Sequence, residues 1–509
     1  MSATSDEPPA GPDLTAGIPA SSVANGAMLL GHVGNDPVLV ARTGGSLYAI
    51  GATCTHYGGP LAEGIIVGDT VRCPWHHACF SLRTGEPLRA PALDSVACYR
   101  VEESAETVFV REAIEPPSLY RRTLSSPPTS VVIIGAGAAG VAAAEMLRRC
   151  GYADSIRLFD RLQTPPVDRP NLSKDYLAGT AEEEWVNLRP DDFYSSHNIE
   201  LLRGRRVSRI DTRTHTVTTD DGATTKFSAL LLATGSSPVH LPVPGADLPT
   251  VHYLRTLDDS KAIIAASQTG KRAVVIGASF IGLEVAAALR TRNVAVTVVA
   301  PESLPLERVL GAELGNMVKA MHESKGVTFM LGAGVKSITA DAVQLVDGTS
   351  LPADFVVIGV GVRPDVALAQ EAGIKVDNGV VVNAILETSA PGIFAAGDIA
   401  SWPDPRAGQI RVEHWVVAER QGQTAARNML GANEPFTLTP FFWSRHYDLQ
   451  INYVGRSSPG DKRKVDGDPM AHDCTVKYMR ASDAVSAQAD VGRDQSSLLA
   501  EARLDGEIN

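Results

Sequence analysis

The residues with the most definite chemistry lie near the start of the chain. Cys54-Thr-His56 is followed by sixteen residues and then by Cys73-Pro-Trp-His76, so two short segments each offer one thiol and one imidazole. Such a set can hold a tetrahedral zinc, but zinc fingers group their cysteines together and their histidines together. Here the two kinds alternate, which suits a binuclear iron–sulfur centre in which one iron takes both Cys and the other both His. Residues 22–112 around these segments are short apolar runs, such as Val38–Ala41, Leu47–Ile50 and Val108–Val110, broken by Gly, Asn and Asp. That is the pattern of a small all-β domain.

A second kind of chemistry begins at Val131-Val-Ile-Ile-Gly135-Ala-Gly137-Ala-Ala-Gly140, an apolar strand running through glycines into an Ala-rich helix. In that context the glycines let the backbone meet a pyrophosphate at the helix N-terminus. Asp160 ends the next strand twenty residues past Gly140, where an acid can accept hydrogen bonds from a ribose. Val274-Val-Ile-Gly277-Ala-Ser279-Phe-Ile-Gly282-Leu-Glu284 repeats the pattern with Ser in the middle position, and Gly235 and Asp398 sit in further Gly-rich strand ends. Two such units imply two dinucleotides, FAD with NAD(P)H, unless the second is a duplicate kept for packing. NAD-specific units close their second strand with an acid. Here that position is Ala300, Glu302 follows two residues later, and no Arg adjoins it, so a weak preference for NADH is expected.

The Cys/His segments closely resemble the Rieske motif, which makes Cys54, His56, Cys73 and His76 the expected ligands of a [2Fe–2S] cluster. Gly59, Trp75, Ala78 and Phe80 stand where high-potential members have bridging cysteines and hydroxyl donors, which implies a low potential. Cys79 and Cys98 are then core residues, and His77 is expected on the surface. Residues 130–450 resemble the ferredoxin-reductase branch of the FAD/NAD pyridine-nucleotide oxidoreductases, which includes apoptosis-inducing-factor-like proteins and dioxygenase reductase components. Arg169-Pro-Asn-Leu-Ser-Lys174 is similar to that branch's R-P-x-L-S-K segment, which implies Arg169 along the FAD and Lys174 near the flavin ring. The resemblance further implies Asp398 at the ribityl chain, His414 and Trp415 beside the isoalloxazine, and Glu284 near the nicotinamide. Disulfide reductases of the wider superfamily carry a C-x-x-x-x-C pair on the first helix. Only Cys150 lies nearby, so dithiol chemistry at the flavin is not expected.

The function implied is hydride transfer from NADH or NADPH to FAD, then single-electron transfer to the cluster and to an external protein acceptor of oxygenase or cytochrome P450 type. No residue is needed as a catalytic acid or base. The alternative is a redox-sensing signalling flavoprotein like apoptosis-inducing factor.

These sites need several domains to position them, and 509 residues exceed what one hydrophobic core organises. The expected fold is multidomain: an all-β Rieske domain, two Rossmann-like α/β domains and a small α+β C-terminal domain. The expected boundaries are a disordered tail at 1–20, the Rieske domain at 21–113, a Pro- and Ser-rich linker at 114–129, an FAD domain at 130–253 and 377–432, an NAD(P) domain at 254–376 and a C-terminal domain at 433–509. The formal charge is −12, and residues 1–113 carry −6 with no lysine. That balance argues against nucleic acid; it serves solubility or, as the sharper alternative, forms an acidic docking face for a basic electron-transfer partner. Neither an apolar run of membrane-spanning length nor a signal peptide is visible, so a cytoplasmic protein is expected, and a homodimer is allowed.

Overall fold

The computed structural model describes residues 10–121 and 127–508. These fall into two compact units. One is formed by the described residues of Met1–Ser125 with Glu145–Tyr152 and Arg493–Asn509, the other by those of Ser126–Ala144 and Ala153–Gly492.

The first unit is built on two antiparallel sheets. One has six strands in the order Ile18–Pro19, Thr107–Ile114, Cys98–Ser104, Ser46–Gly51, Asp36–Thr43 and Met28–Val33; the other has four, Ile65–Val67, Thr70–Arg72, Cys79–Ser81 and Pro87–Arg89. Alternation along the strands puts Leu39, Ile50, Val71 and Phe80 into one core, each fully buried. The first Cys/His segment follows strand Ser46–Gly51, and the second is the tight connection between Thr70–Arg72 and Cys79–Ser81.

In three places this unit differs from the expected boundaries. Residues 11–20 are ordered: Leu14 is fully buried, Asp13 bridges to His32, and Ile18 pairs with Val108. Residues 1–9 of the expected tail lie outside the described residues. The start of the expected linker is tied down, because Ser118 Oγ and the Leu119 amide donate to the Glu86 carboxylate at 2.5 and 2.7 Å and Tyr120 OH donates to the Leu88 carbonyl at 3.1 Å. Composition alone marks that stretch as a linker, whereas one buried acid, Glu86, collects its donors. Finally, Asp494–Leu504 is a helix of this unit rather than of a C-terminal domain.

The second unit holds two five-stranded parallel sheets of Rossmann type. One orders Ile199–Leu202, Ser155–Phe159, Ser130–Ile134, Ala229–Leu232 and Ile393–Ala395; the other Val251–Tyr253, Phe355–Ile358, Arg272–Ile276, Ala295–Ala300 and Val327–Leu331. Their central strands are buried on both faces and read as continuous apolar runs. Strand Val251–Tyr253 pairs with Phe355–Ile358, so it belongs to the second of these sheets and the expected boundary at 253 moves earlier. Ile393–Ala395 returns to the flavin sheet, as expected. A five-stranded antiparallel sheet from Phe441–His446 to Val485–Val491 completes the unit. Among the described residues no helix is long and apolar enough to cross a membrane.

Candidate cluster and dinucleotide sites

In the first unit, short loop hydrogen bonds fold both Cys/His segments toward each other. Cys54 N donates to Gly59 O at 2.8 Å and Gly58 N to Cys54 O at 3.0 Å, while Cys73 N donates to Ala78 O at 2.8 Å and His77 N to Cys73 O at 3.2 Å. Gly59 is required by proximity, since a Cβ there would lie 2.7 Å from Cys73 Sγ. Cys54 and Cys73 are 2% and 1% exposed and share a hydrogen bond. The His56 amide also donates to Cys54 sulfur, and the Trp75 and His76 amides donate to Cys73 sulfur. The two imidazoles meet with Nδ1 atoms 3.2 Å apart and rings nearly perpendicular. Burial pushes the His56 imidazole down to about 3, holding it neutral as a metal ligand must be.

The four residues therefore form a thiol pair beside an imidazole pair, the division that two irons with unlike ligands need, and they fit a Rieske-type cluster. Among the described residues no three His, Cys, Asp or Glu side chains converge on one metal position. Tyr57 stacks on His56 with ring centroids 3.9 Å apart, and Tyr57 and Trp75 are both exposed. His77 corrects a sequence expectation. It is fully buried, with Nδ1 donating to Glu501 at 2.9 Å, because the positive φ of 62° turns its ring inward against the C-terminal helix. Cys79 and Cys98 are buried, as expected of core residues, and none of the six cysteines is in a disulfide.

The second unit contains a cavity of about 830 Å³ lined by residues of both Rossmann halves, among them Gly137, Arg169, Lys174, Gly235, Gly277, Ser279, Glu284, Glu302, Asp398, His414 and Trp415. Gly135, Gly140, Asp160 and Gly282 are not on its wall. The glycines of the first motif have distinct tasks. A Cβ on Gly140 would sit 1.9 Å from Gly135 O, and one on Gly135 2.3 Å from Ala233 O, so both serve close packing of strand and helix. Gly137 instead faces the cavity, where the atoms nearest an added Cβ belong to the Arg169 guanidinium, Nη2 first at 3.3 Å. That open cradle beside a guanidinium fits a pyrophosphate. Burial first, and the nearby Arg255 second, push Arg169 below its ordinary value, a penalty that a bound anion would relieve.

Ser279, standing in for the middle glycine of the second motif, caps helix Phe280–Thr291: its Oγ accepts from Gly282 N at 3.4 Å and donates to Gly359 O at 2.8 Å. Lys174 and Glu284 pair at 2.8 Å, and Ser173 and Ser444 donate to the same carboxylate at 2.5 and 2.6 Å. Burial alone would raise Asp398, but Arg255 at 2.6 Å and Ser236 at 2.7 Å hold its carboxyl below the ordinary value. His414 is pushed down to about 4 by burial and packs against Phe442 with ring centroids 4.7 Å apart. Asp160 ends its strand and caps its own turn by accepting from Leu162 N at 3.1 Å; burial raises its pKa.

Sequence reasoning missed Arg255, Ser236, Ser444 and Arg308. None of them lies in a glycine motif, and Arg255 reaches Asp398 from the turn before helix Leu257–Thr269.

Residues 15–100 match the Rieske [2Fe–2S] domain, and residues 129–422 match the pyridine nucleotide-disulphide oxidoreductase family. Apoptosis-inducing factor 3 of Mus musculus is 35% identical over 92% of this chain and 80% of its own. Putidaredoxin reductase CamA of Pseudomonas putida is 36% identical over 72% of this chain and 89% of its own. The anthranilate 1,2-dioxygenase system ferredoxin–NAD(+) reductase component of Burkholderia cepacia is 37% identical over 71% of this chain and 91% of its own. Among solved structures, the covalent putidaredoxin reductase–putidaredoxin complex superposes with a TM-score of 0.72 at 35% identity, covering 75% of this chain and 94% of that one. The chain belongs to the pyridine nucleotide-disulphide oxidoreductase family, as an FAD-dependent NAD(P)H oxidoreductase of ferredoxin-reductase type that carries a Rieske [2Fe–2S] domain of its own.

Proposed function

We propose that this chain takes electrons from NAD(P)H at the flavin, passes them to its own cluster, and delivers them to an oxygenase component or a cytochrome P450 system. The observation that carries the reading is that one chain joins a reductase unit with its dinucleotide cavity to a domain with both ligand pairs in place. When bound, the nicotinamide would supply a hydride to the flavin, which would release its two electrons singly to the cluster and its proton to solvent.

The residues supply binding and electrostatics. Gly137 and the helix that follows it would receive the FAD pyrophosphate with Arg169 alongside, while Asp160, off the cavity wall, holds the adjoining turn through Leu162 N. Asp398, locked by Arg255, orients the ribityl chain, and His414 and Trp415 pack beside the ring. Gly277, Ser279 and Gly282 shape the nicotinamide dinucleotide site, Glu284 orients the nicotinamide, and Lys174 neutralises Glu284. Cys54, Cys73, His56 and His76 hold the cluster. Burial, which pushes His414 down to about 4, keeps its imidazole neutral near pH 7. Amide donors to the cysteine sulfurs are present, but no hydroxyl occupies Ala78 or Phe80, which supports a potential at the low end. A cytoplasmic setting, where thiols stay reduced, accords with the absence of disulfides among the described residues.

The test is anaerobic addition of NADH to the purified chain. A Rieske-type EPR signal should grow in as the flavin absorbance recovers from bleaching. Flavin bleaching with no cluster signal would refute the order of transfer.

One observation favours a second reading. Apoptosis-inducing factor 3 of mouse and of human matches over 92% of this chain, whereas the anthranilate dioxygenase reductase component and putidaredoxin reductase match over 71% and 72%. A redox-sensing role would show turnover with every acceptor well below about one per second, the low end for ordinary enzymes.

A further inference from the structure

The last helix of the chain belongs to the unit that holds the cluster ligands, and its buried acid touches both residues that flank the second ligand loop. Glu501 is fully buried. Its Oε2 accepts from His77 Nδ1 at 2.9 Å and lies 3.4 Å from Arg72 Nη1. Arg72 directly precedes Cys73 and His77 directly follows His76. One carboxylate, more than 420 residues away in sequence, therefore clasps both ends of the loop Cys73–His76.

The loop has reason to need a clasp. His77 holds φ 62°, a left-handed conformation that a non-glycine residue keeps only where its surroundings fix it. The hydrogen bond to Glu501 fixes the His77 ring, and Arg72, 1% exposed, supplies the charge that makes a buried carboxylate tolerable. Other ties seat the helix, and of these the Arg72–Glu507 pair alone reaches a residue that flanks the loop. Arg89 pairs with Asp505 at 3.0 Å, Arg72 and Arg89 both pair with Glu507, and Gln495 Nε2 donates to Glu63 O at 3.0 Å.

We infer that Glu501 is a positioning residue for the iron–sulfur cluster, acting through His77 and Arg72 on the geometry of Cys73 and His76. The inference rests on the reading of those residues as cluster ligands. It makes the C-terminal helix part of the cluster domain and sets the cluster's electronic environment from the end of the chain. A negative charge there opposes reduction of the cluster, so Glu501 also contributes to a low potential.

The test uses the full-length holoprotein with Glu501→Ala, Glu501→Gln and, as a control, Asp505→Asn, which loosens the helix end without touching the loop. Iron and acid-labile sulfide, the EPR g-values, the cluster midpoint potential and the rate of iron loss to a chelator are measured in each. In Glu501→Ala, iron loss should accelerate about tenfold or more with altered g-values. In Glu501→Gln, which keeps an acceptor for His77, the cluster should be retained with its potential moved upward. Asp505→Asn should match the parent. FAD content should be unchanged in all three. Parental g-values, potential and iron retention in both Glu501 variants would overturn the inference, as would equal damage in Asp505→Asn. If Glu501→Ala does not fold, an unshifted potential and unshifted g-values in Glu501→Gln overturn it alone. A parent protein lacking the cluster would instead refute the ligand assignment.

Discussion

Lys174 Nζ lies 2.8 Å from Glu284 Oε2 on the wall of the dinucleotide cavity, joining a residue of the first Rossmann half to one on helix Phe280–Thr291 of the second. Both side chains are largely buried, at 11% and 5% exposure, so removing either leaves an uncompensated charge. Breaking a buried pair costs about 3–5 kcal/mol, much of it from the stranded partner. Lys174→Met and Glu284→Gln should therefore each lower thermal stability and NADH-dependent dye reduction, and the double variant should lose less than the two losses added. Strict additivity in that cycle would show the pair is not coupled.

A pH prediction follows from Asp168, next to Arg169. Burial raises its carboxyl to about 7, against the lowering influence of Lys174, and neither oxygen has a hydrogen-bond partner among the described residues. Because the folded value lies above the unfolded one, the folded state binds more protons between about pH 4 and pH 7, so stability falls as pH rises through that window. Asp168→Asn keeps the shape and removes the charge. It should leave the melting temperature unchanged near pH 4 and raise it at pH 8, by an amount corresponding to at most about 4 kcal/mol. A lower melting temperature for the variant at pH 8 would mean that the carboxylate is stabilised by contacts beyond those described.

Nucleotide choice should respond to Glu302. The structure puts Glu302 on the cavity wall with Glu307 and Arg308, beyond the buried Ala300 that ends its strand. The acid repels a 2′-phosphate while Arg308 attracts one, so the preference for NADH should be modest. Glu302→Gln should shift the ratio of kcat/KM for NADH over NADPH toward NADPH by about tenfold, comparable to losing one charge interaction. No change in the ratio would remove Glu302 from the discrimination.

Gly59→Ala tests the packing of the two ligand loops. A methyl group there would press on Cys73 Sγ, 2.7 Å away, and on the Trp75 ring, 3.2 Å away. The cluster should be lost or its g-values moved, with FAD retained. A fully loaded cluster with parental g-values would show that the loops can separate freely.

Much of the site was legible because its chemistry sits in local spacing. The Cys54/His56 and Cys73/His76 segments and the glycine turns at 135 and 277 each need only neighbours in sequence, and the alternation of strand and helix around them fixes the sheets. What was not legible depends on distant partners. His77 was expected on the surface because nothing near it hints at an acid at position 501. Arg255 carried no motif, yet it locks Asp398. Residues 114–121 had a linker's composition, but Glu86 holds Ser118 and Leu119 in place. The C-terminal helix was assigned to the sheet that precedes it because sequence order is the default guide to domain membership, and ion pairs to Arg72 and Arg89 override that order.

The central claim is that electrons enter at the flavin and leave through the cluster, and it is tested most directly by separating the two ends. His76→Ala or Cys73→Ser removes a proposed cluster ligand from the first unit, while Gly137→Glu puts bulk and negative charge into the proposed flavin cradle of the second. In each variant, NADH oxidation is measured with ferricyanide, which accepts from flavin directly, and with a protein acceptor served by the cluster. The cluster variants should keep ferricyanide reduction within a few-fold of the parent, about the scatter of an undisturbed site, and lose protein-acceptor reduction by orders of magnitude. Gly137→Glu should lose FAD and both activities. If the cluster variants retained FAD yet lost ferricyanide reduction as completely as protein-acceptor reduction, or reduced the protein acceptor at the parental rate, the order from flavin to cluster would be contradicted.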